Sequence, residues 1–277
     1  MSRPAISVAP VKKISPSGIY DATECVAVEE PLEIRLEYGP SEKRIAKSIS
    51  VTMRTPGYDH DLAAGFLYTE GIIKNAEDIT SIKHCNGENE NVVKVALNTS
   101  LVPAINKLDR NFYTTSSCGV CGKSSIEAVM AACSIAITSD NIQVASSLIY
   151  RLPDLLRKKQ ELFDQTGGLH GCALFTTSGK LLILREDVGR HNALDKLIGY
   201  ALNNDMLPFQ DHVLMLSGRA SFELIQKAMM AGIKIVVAVG APSSLAVEMA
   251  TEWEMTLIGF LRDERFNIYT GMQRITT

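Results

Sequence analysis

No run of apolar residues in this sequence is long enough to cross a membrane, because the longest, such as Ile235 to Val239, are strand-sized. The opening stretch, MSRPAISVAPVKKIS, breaks up its few apolar positions with Pro and Lys and lacks the continuous apolar core of an export signal. A strong charge of either sign is missing as well. Lys and Arg number 28 against 31 Asp and Glu, giving a formal net charge of -3 and a pI near 6.0. That balance offers no global field for nucleic acid and confines any anion site to a local patch. Cysteine is sparse, with six residues at irregular spacings. In a chain without an export signal this argues against a disulfide scaffold and for a thiol or metal role. These absences predict a cytoplasmic protein with no membrane and no nucleic-acid partner.

What is present is a globular composition. The 277 residues are 46% hydrophobic and 21% charged, enough to build one large or two ordinary domains. The first two dozen residues, with Pro4, Pro10, Pro16 and Gly18, read as an N-terminal extension over 1–24. Leu32 to Tyr38 and Ile45 to Met53 alternate as strands do and are joined by a turn at Gly39-Pro40. A capped helix over Asp59 to Gly71 and short strands at Ile79 to His84 and Val92 to Leu97 complete a small α+β domain over 25–111. The boundary is placed near Asn111.

The texture then changes. Ser124-Ser125-Ile126-Glu127 has the spacing of a capping box, which predicts a helix to about Cys133. A second helix is expected from Ser147 to Phe163, then a hairpin of Ala173 to Thr177 with Leu181 to Leu184. Beyond it, helix Arg190 to Leu202, strand Val213 to Leu216, helix Ser221 to Ala231, strand Lys234 to Val239, helix Ser244 to Trp253 and strand Thr256 to Leu261 alternate. Such alternation implies a mostly parallel sheet with helices on both faces, a larger α/β domain over 112–277.

The sharpest chemical signal is Ser116-Ser117-Cys118-Gly119-Val120-Cys121-Gly122-Lys123. Its glycines let the backbone turn tightly and approach a ligand closely. The capping box follows directly, so both sulfurs sit at a helix N-terminus, where free amides and Lys123 favour a nucleophilic thiolate. Three readings fit a lone Cys-x-x-Cys: half of a structural zinc site, a thioredoxin-type redox pair, or persulfide transfer on a loop. Cys85, His84 and Cys133 could complete a zinc site, but no second closely spaced pair exists. Cys25, Cys133 and Cys172 lie among apolar neighbours and read as buried inert thiols, and Cys85 as a loop residue.

Ligands of an open parallel sheet bind beyond the carboxyl ends of its strands. Three strands here lead into suggestive loops: Ser217-Gly218-Arg219-Ala220-Ser221, Gly240-Ala241-Pro242-Ser243-Ser244 and Leu261-Arg262-Asp263-Glu264-Arg265. Small residues, serines at helix starts and three arginines suit a diphosphate cradle, although each serine could equally be an ordinary helix cap. A fourth loop carries Asp187, Arg190, His191 and Asn192, and the spacing of His191 and Asp195 would let them share a helix face. Thr166-Gly167-Gly168-Leu169-His170 could bring a backbone near the same place.

Taken together, SSCGVCGK, TGGLH, EDVGRHNALDKLIG, SGRASFELIQKA, GAPSSLAVEMA and IGFLRDERFNIYT closely resemble the formate dehydrogenase accessory sulfurtransferases, the FdhD family. The resemblance covers nearly the whole chain. It implies a larger domain similar in fold to cytidine deaminases, three-layered with a mixed sheet, and a homodimer. It also implies a sulfurtransferase that accepts persulfide sulfur from a cysteine desulfurase. The sulfur passes to the molybdenum or tungsten bis-guanine-dinucleotide cofactor that formate dehydrogenase requires. By the resemblance Cys118 is the persulfide cysteine and Cys121 its partner thiol. Phe260, Leu261, Arg262, Asp263, Glu264 and Arg265 form the cofactor-binding stretch, with Arg190, His191, Ser217, Arg219 and Ser243 as further candidates. Asp263 and Glu264 stand where a diphosphate would lie, which leaves their side chains turned away or set toward ribose or guanine. No resident metal is expected. Deaminase chemistry would need a His-x-Glu pair and a Pro before the Cys-x-x-Cys, and neither is present. Two other classes stay open on the residues alone: a chaperone that only carries the cofactor, and a zinc-stabilised interaction module.

Overall fold

The computed structural model describes residues 4–85, 90–101, 103 and 141–277. Cys118, Cys121, Cys133, the helix expected from Ser124 and the boundary near Asn111 lie outside the described residues.

The chain opens with a two-stranded antiparallel ribbon, β1 (Ile6–Ser15) and β2 (Gly18–Ala27). Sequence reading expected an extension here. The stretch is regular strand, yet it stays largely outside the core. A four-stranded sheet follows, built from β3 (Glu30–Tyr38), β4 (Ile45–Arg54), β5 (Ile79–His84) and β6 (Val92–Leu97) in the order β4-β3-β6-β5. The alternating apolar residues Leu32, Ile34 and Leu36 bury one face of β3 under α1 (Asp59–Thr69), where Leu62, Ala63 and Leu67 meet them.

The larger unit is a six-stranded sheet in the order β13-β12-β11-β10-β8-β9. Its strands are β8 (His170–Thr176), β9 (Leu181–Asp187), β10 (His212–Leu216), β11 (Ile235–Ala238), β12 (Thr256–Arg262) and β13 (Arg265–Thr270). The short β7 (Val144–Ala145) pairs with β14 (Ile275–Thr276) beside it. Parallel pairing is confined to β10, β11 and β12, and antiparallel neighbours flank them, so the sheet as a whole is mixed. Helices α4 (Arg190–Asn203), α5 (Phe222–Met230) and α6 (Ser244–Glu252) cover one face. On the other face lies α2 (Ser146–Arg157). The short α3 (Glu161–Thr166) is separate from α2, so the single helix expected from Ser147 to Phe163 is two, broken at Lys158-Lys159-Gln160. The loop expected over Leu261 to Arg265 shrinks to the turn Asp263-Glu264, with Arg262 ending β12 and Arg265 starting β13, a strand not assigned from the sequence.

The two sheets are joined where α1 crosses α4. A Cβ on Gly65 would lie 1.9 Å from the Asp195 carbonyl oxygen, and one on Gly199 1.8 Å from that of Asp61. Only glycine permits helices so close. Beside the crossing, Asp187 and Lys196 form a fully buried ion pair at 2.6 Å. Lys196 also donates to the Thr55 carbonyl at 2.8 Å, and Asp187 accepts from the Thr55 amide at 3.2 Å. Both charges are thus compensated inside the junction. Arg54 clamps Asp59 with two bonds of 3.0 and 2.9 Å at the start of α1. No described helix is long and apolar enough to cross a membrane.

Candidate functional site

The carboxyl ends of β10, β11 and β12 meet the start of β8, which runs antiparallel to β10 and so begins where β10 ends. Backbone hydrogen bonds knit the loops into one shelf. The Gly240 amide donates to the Gly218 carbonyl at 3.0 Å, Ser243 to Ala220 at 3.0 Å, and Phe260 to Gly240 at 3.1 Å. A Cβ on Gly218 would stand 3.2 Å from His170 Nδ1, and one on Gly240 2.9 Å from Arg219 Cγ. Glycine therefore lets side chains from β8 and the β10 loop lie against bare backbone.

The shelf gathers basic side chains. Arg190 and His191 start α4, Arg219 follows β10, and His170 starts β8. Burial, followed by the positive charge of Arg190, holds the His170 imidazole below its ordinary value, so it is neutral near pH 7. The Arg190 Nε is buried without a hydrogen-bond partner among the described residues. A buried guanidinium nitrogen with a free donor is costly unless something accepts from it.

His191 Nε2 lies 3.2 Å from the Ser221 hydroxyl and 3.6 Å from Glu223 Oε2. The ring and the Ser221 hydroxyl hold the Glu223 carboxyl down at about 2. Ser221 begins α5 without capping it through its side chain. Its hydroxyl is committed to the His191 and Glu223 pair instead. Ser243, by contrast, is an ordinary cap that accepts from the Ala246 amide at 3.2 Å, and Ser217 accepts from the Gly171 amide at 2.8 Å. The expected His191 and Asp195 partnership does not form. Asp195 is buried against Lys227, at 2.9 Å, and the Thr69 hydroxyl. Burial works against the Lys227 ammonium, but the carboxylates of Asp195 and Glu70 outweigh it and raise its pKa.

The last stretch forms a hairpin tip. Asp263 and Glu264, with φ of 50° and 53°, make the two-residue turn between β12 and β13, the positive pair that a type I′ turn needs. Phe260 has φ of 54° at a register shift in β12 and is 41% exposed. Three left-handed non-glycine residues within five positions store backbone strain. Arg262, Asp263, Glu264 and Arg265 are exposed, whereas Leu261 is 1% exposed and packed in the core, so its side chain is unavailable to a ligand. Cys172 is buried beside the Arg190 carbonyl, and burial pushes its thiol up, as expected of an inert cysteine. Cys25 and Cys85 are partly exposed.

Sequence reading reached Arg190, His191, Arg219 and the hairpin tip, and the structure brings the first three together. It set His170 aside as part of a backbone motif and did not pick out Glu223. No local signal marks Glu223, since its partner lies 32 positions away on another element.

A mixed three-layer domain with a cationic shelf at its strand ends, welded to a small α+β unit, is the architecture to which the comparisons speak. The chain belongs to the FdhD/NarQ family, whose model matches residues 27–276. It is 51% identical over 258 residues, 91% of this chain and 92% of the relative, to the sulfur carrier protein FdhD of Mycolicibacterium paratuberculosis. The protein of that name from Streptomyces coelicolor is 48% identical, covering 96% of this chain and 94% of its own. The one from Sulfurisphaera tokodaii is 42% identical, covering 96% and 99%. A crystal structure from Desulfotalea psychrophila, described as a formate dehydrogenase accessory protein, superposes with a TM-score of 0.76 at 27% identity, covering 99% of this chain and 100% of that one.

Proposed function

We propose that this protein is a sulfur carrier for formate dehydrogenase maturation, holding sulfur as a persulfide on Cys118 and passing it to a molybdenum or tungsten bis-guanine-dinucleotide cofactor bound at the strand-end shelf. The observation that carries the reading is the shelf of Arg190, Arg219 and His170 in a chain whose relatives are sulfur carrier proteins. Arg190 supplies a free buried donor, and Arg262 and Arg265 supply exposed charge on the hairpin beyond it. These groups suit the phosphates of a dinucleotide, which take bidentate and charge-assisted bonds from arginine.

The sulfur donor would be a cysteine desulfurase. The Cys118 thiolate attacks the outer sulfur of the donor persulfide, forms a new S–S bond, and releases the donor cysteine as a thiolate. For delivery, the Cys121 thiolate attacks the inner sulfur of the Cys118 persulfide. A Cys118–Cys121 disulfide forms and the outer sulfur leaves as hydrosulfide. Two thiols are oxidised as one sulfane sulfur is reduced, so the electrons balance. The neutral His170 is able to accept a proton at the shelf.

The test is intact-mass spectrometry of the wild-type chain and of Cys118→Ser after incubation with a cysteine desulfurase and cysteine, together with GDP binding by calorimetry. The wild type is expected to gain one sulfur, about 32 Da for each equivalent transferred. Cys118→Ser is expected to bind GDP unchanged and to leave formate dehydrogenase inactive. A variant that still sulfurates the cofactor overturns the carrier role of Cys118. Wild-type protein that binds GDP and never gains sulfur reduces the function to cofactor delivery.

A further inference from the structure

Three lysines among the described residues are buried, and two of them meet a carboxylate: Lys196 bonds Asp187 at 2.6 Å and Lys227 bonds Asp195 at 2.9 Å. The third, Lys234, is 4% exposed, and its Nζ has no hydrogen-bond partner among the described residues. Lys234 directly precedes β11, and the pairing of Val213 with Ile235 sets it beside His212, the first residue of β10. The Nδ1 of His212 is a second buried nitrogen without a partner. Strand alternation turns both side chains to the helix-covered face, because Leu214 and Val236, two residues further along, belong to the core beneath α4, α5 and α6. Neighbouring strands lie roughly 5 Å apart, so the two orphaned nitrogens rise from adjacent positions of one face. Apolar groups wall them in. The Phe209 ring stands edge-on to His212 with centroids 5.3 Å apart, and Met255, level with Lys234 on the β12 side, is 1% exposed.

Charge says what satisfies them. Burial holds the His212 imidazole below its ordinary value despite the nearby Asp211, so the ring is neutral near pH 7 and the Lys234 ammonium is the one formal charge of the pair. A water molecule would complete the hydrogen bonds and leave that charge uncompensated, which is costly in an apolar setting. An anion answers both needs. It accepts from the ammonium and from the imidazole in its Nδ1–H tautomer. One cation calls for one negative charge, and two donors between apolar walls suit a monatomic acceptor, whereas phosphate or sulfate would bring a second charge and oxygens with no donor to meet them.

We propose that Lys234 Nζ and His212 Nδ1 bind a small monovalent anion of the halide class at the amino ends of β10 and β11. The site is separate from the strand-end shelf. β10 runs from His212 to Leu216, so the two lie at opposite ends of one strand, roughly 13 Å apart. The anion supplies from solution what Asp187 and Asp195 supply to the other two buried lysines. This inference stands apart from the sulfur-transfer reading.

Thermal unfolding of the full chain in sodium chloride, against sodium gluconate of equal ionic strength, tests it, since gluconate is too large to enter. The wild type is expected to gain roughly 3 °C at ten times the half-saturating chloride concentration, as a ligand of the native state alone does. His212→Leu removes one donor and is expected to raise the half-saturating concentration about tenfold. Lys234→Met removes the charge and keeps the apolar stem, so it is expected to lose the chloride response and to be no less stable than wild type in gluconate. In crystals soaked in bromide, an anomalous peak is expected between the two nitrogens, and with the wild-type response it decides the matter should Lys234→Met fail to fold. A wild type without a chloride response overturns the inference. So does a Lys234→Met chain that keeps the response, which would move the anion to the arginines of the shelf. A water alone between the nitrogens in bromide also overturns it, as does a bromide peak with no response in solution, which marks binding at crystal concentration only.

Discussion

Glu223 is a carboxylate with a single structural context. It is half-buried, the His191 ring stands 3.6 Å away, and its pKa is held at about 2. A carboxyl depressed in the folded state stabilises that state at every pH above its unfolded value, roughly 4.3. The contribution is lost as pH falls from there through the folded value. Glu223→Gln is therefore expected to cost about 1–3 kcal/mol near pH 7, and the difference from wild type should shrink below about pH 4. Urea unfolding at pH 7 and pH 3.5 measures both arms, and a difference that grows on acidification contradicts the assignment. The same residue shows where sequence reading stops. A serine at a helix start is visible from the chain alone, but whether its hydroxyl caps the helix, as Ser243 does, or turns to a histidine, as Ser221 does, depends on the neighbouring helix. The pairing of His191 with Asp195 looked plausible from spacing. It failed because the buried ammonium of Lys227, which only the tertiary fold brings near, claims Asp195.

At the scale of elements, periodicity served well where one face is buried and poorly where it is not. β5 and β6 run over the residues expected, and α4 starts at Arg190 as expected, directly after Gly189. The break between α2 and α3 was hidden, since Arg157-Lys158-Lys159-Gln160 continues a helical composition. β13 was hidden too. Its exposed and half-buried residues alternate, and Asp263-Glu264 lacks the glycine that normally announces a type I′ turn. What composition alone could not show is how closely α1 and α4 approach. At Gly199 a methyl group would overlap the Asp61 carbonyl, and both partners are backbone, so no rotamer relieves it. Gly199→Ala is expected to destabilise the protein by about 3 kcal/mol or more, larger than the usual penalty for an overpacked core side chain. Thermal unfolding reads it directly. A variant within about 0.5 kcal/mol of wild type, the range of neutral surface changes, would mean the crossing can spread without loss.

For the molecule as a whole, the question is whether the small sheet and the large one unfold together. Three links join them: the glycine crossing, the buried Asp187 and Lys196 pair, and the bond from Asn192 Nδ2 to the Met53 carbonyl at 2.7 Å. The Asn192 bond lies in the first turn of α4, Lys196 further along it and the crossing over Asp195 to Gly199, so the junction and the shelf share one helix. The anion site proposed at the start of α4 is only as rigid as that junction. If the links act as one, far-UV circular dichroism, which sees both sheets, and the fluorescence of Trp253, which sits in the large core, should report a single coincident transition in urea. Lys196→Met removes one partner of a fully buried pair and strands the Asp187 charge, a loss expected to cost about 3–5 kcal/mol. Because Lys196 and Asp187 both bond Thr55 on the small unit, the loss falls on the junction. In this variant the dichroism transition should precede the fluorescence transition, as the small unit comes away first. GDP binding should weaken with it, since the start of α4 loses its support. Coincident transitions at lower stability, with GDP affinity intact, would instead place the pair in the large core alone and leave the shelf independent of the small sheet.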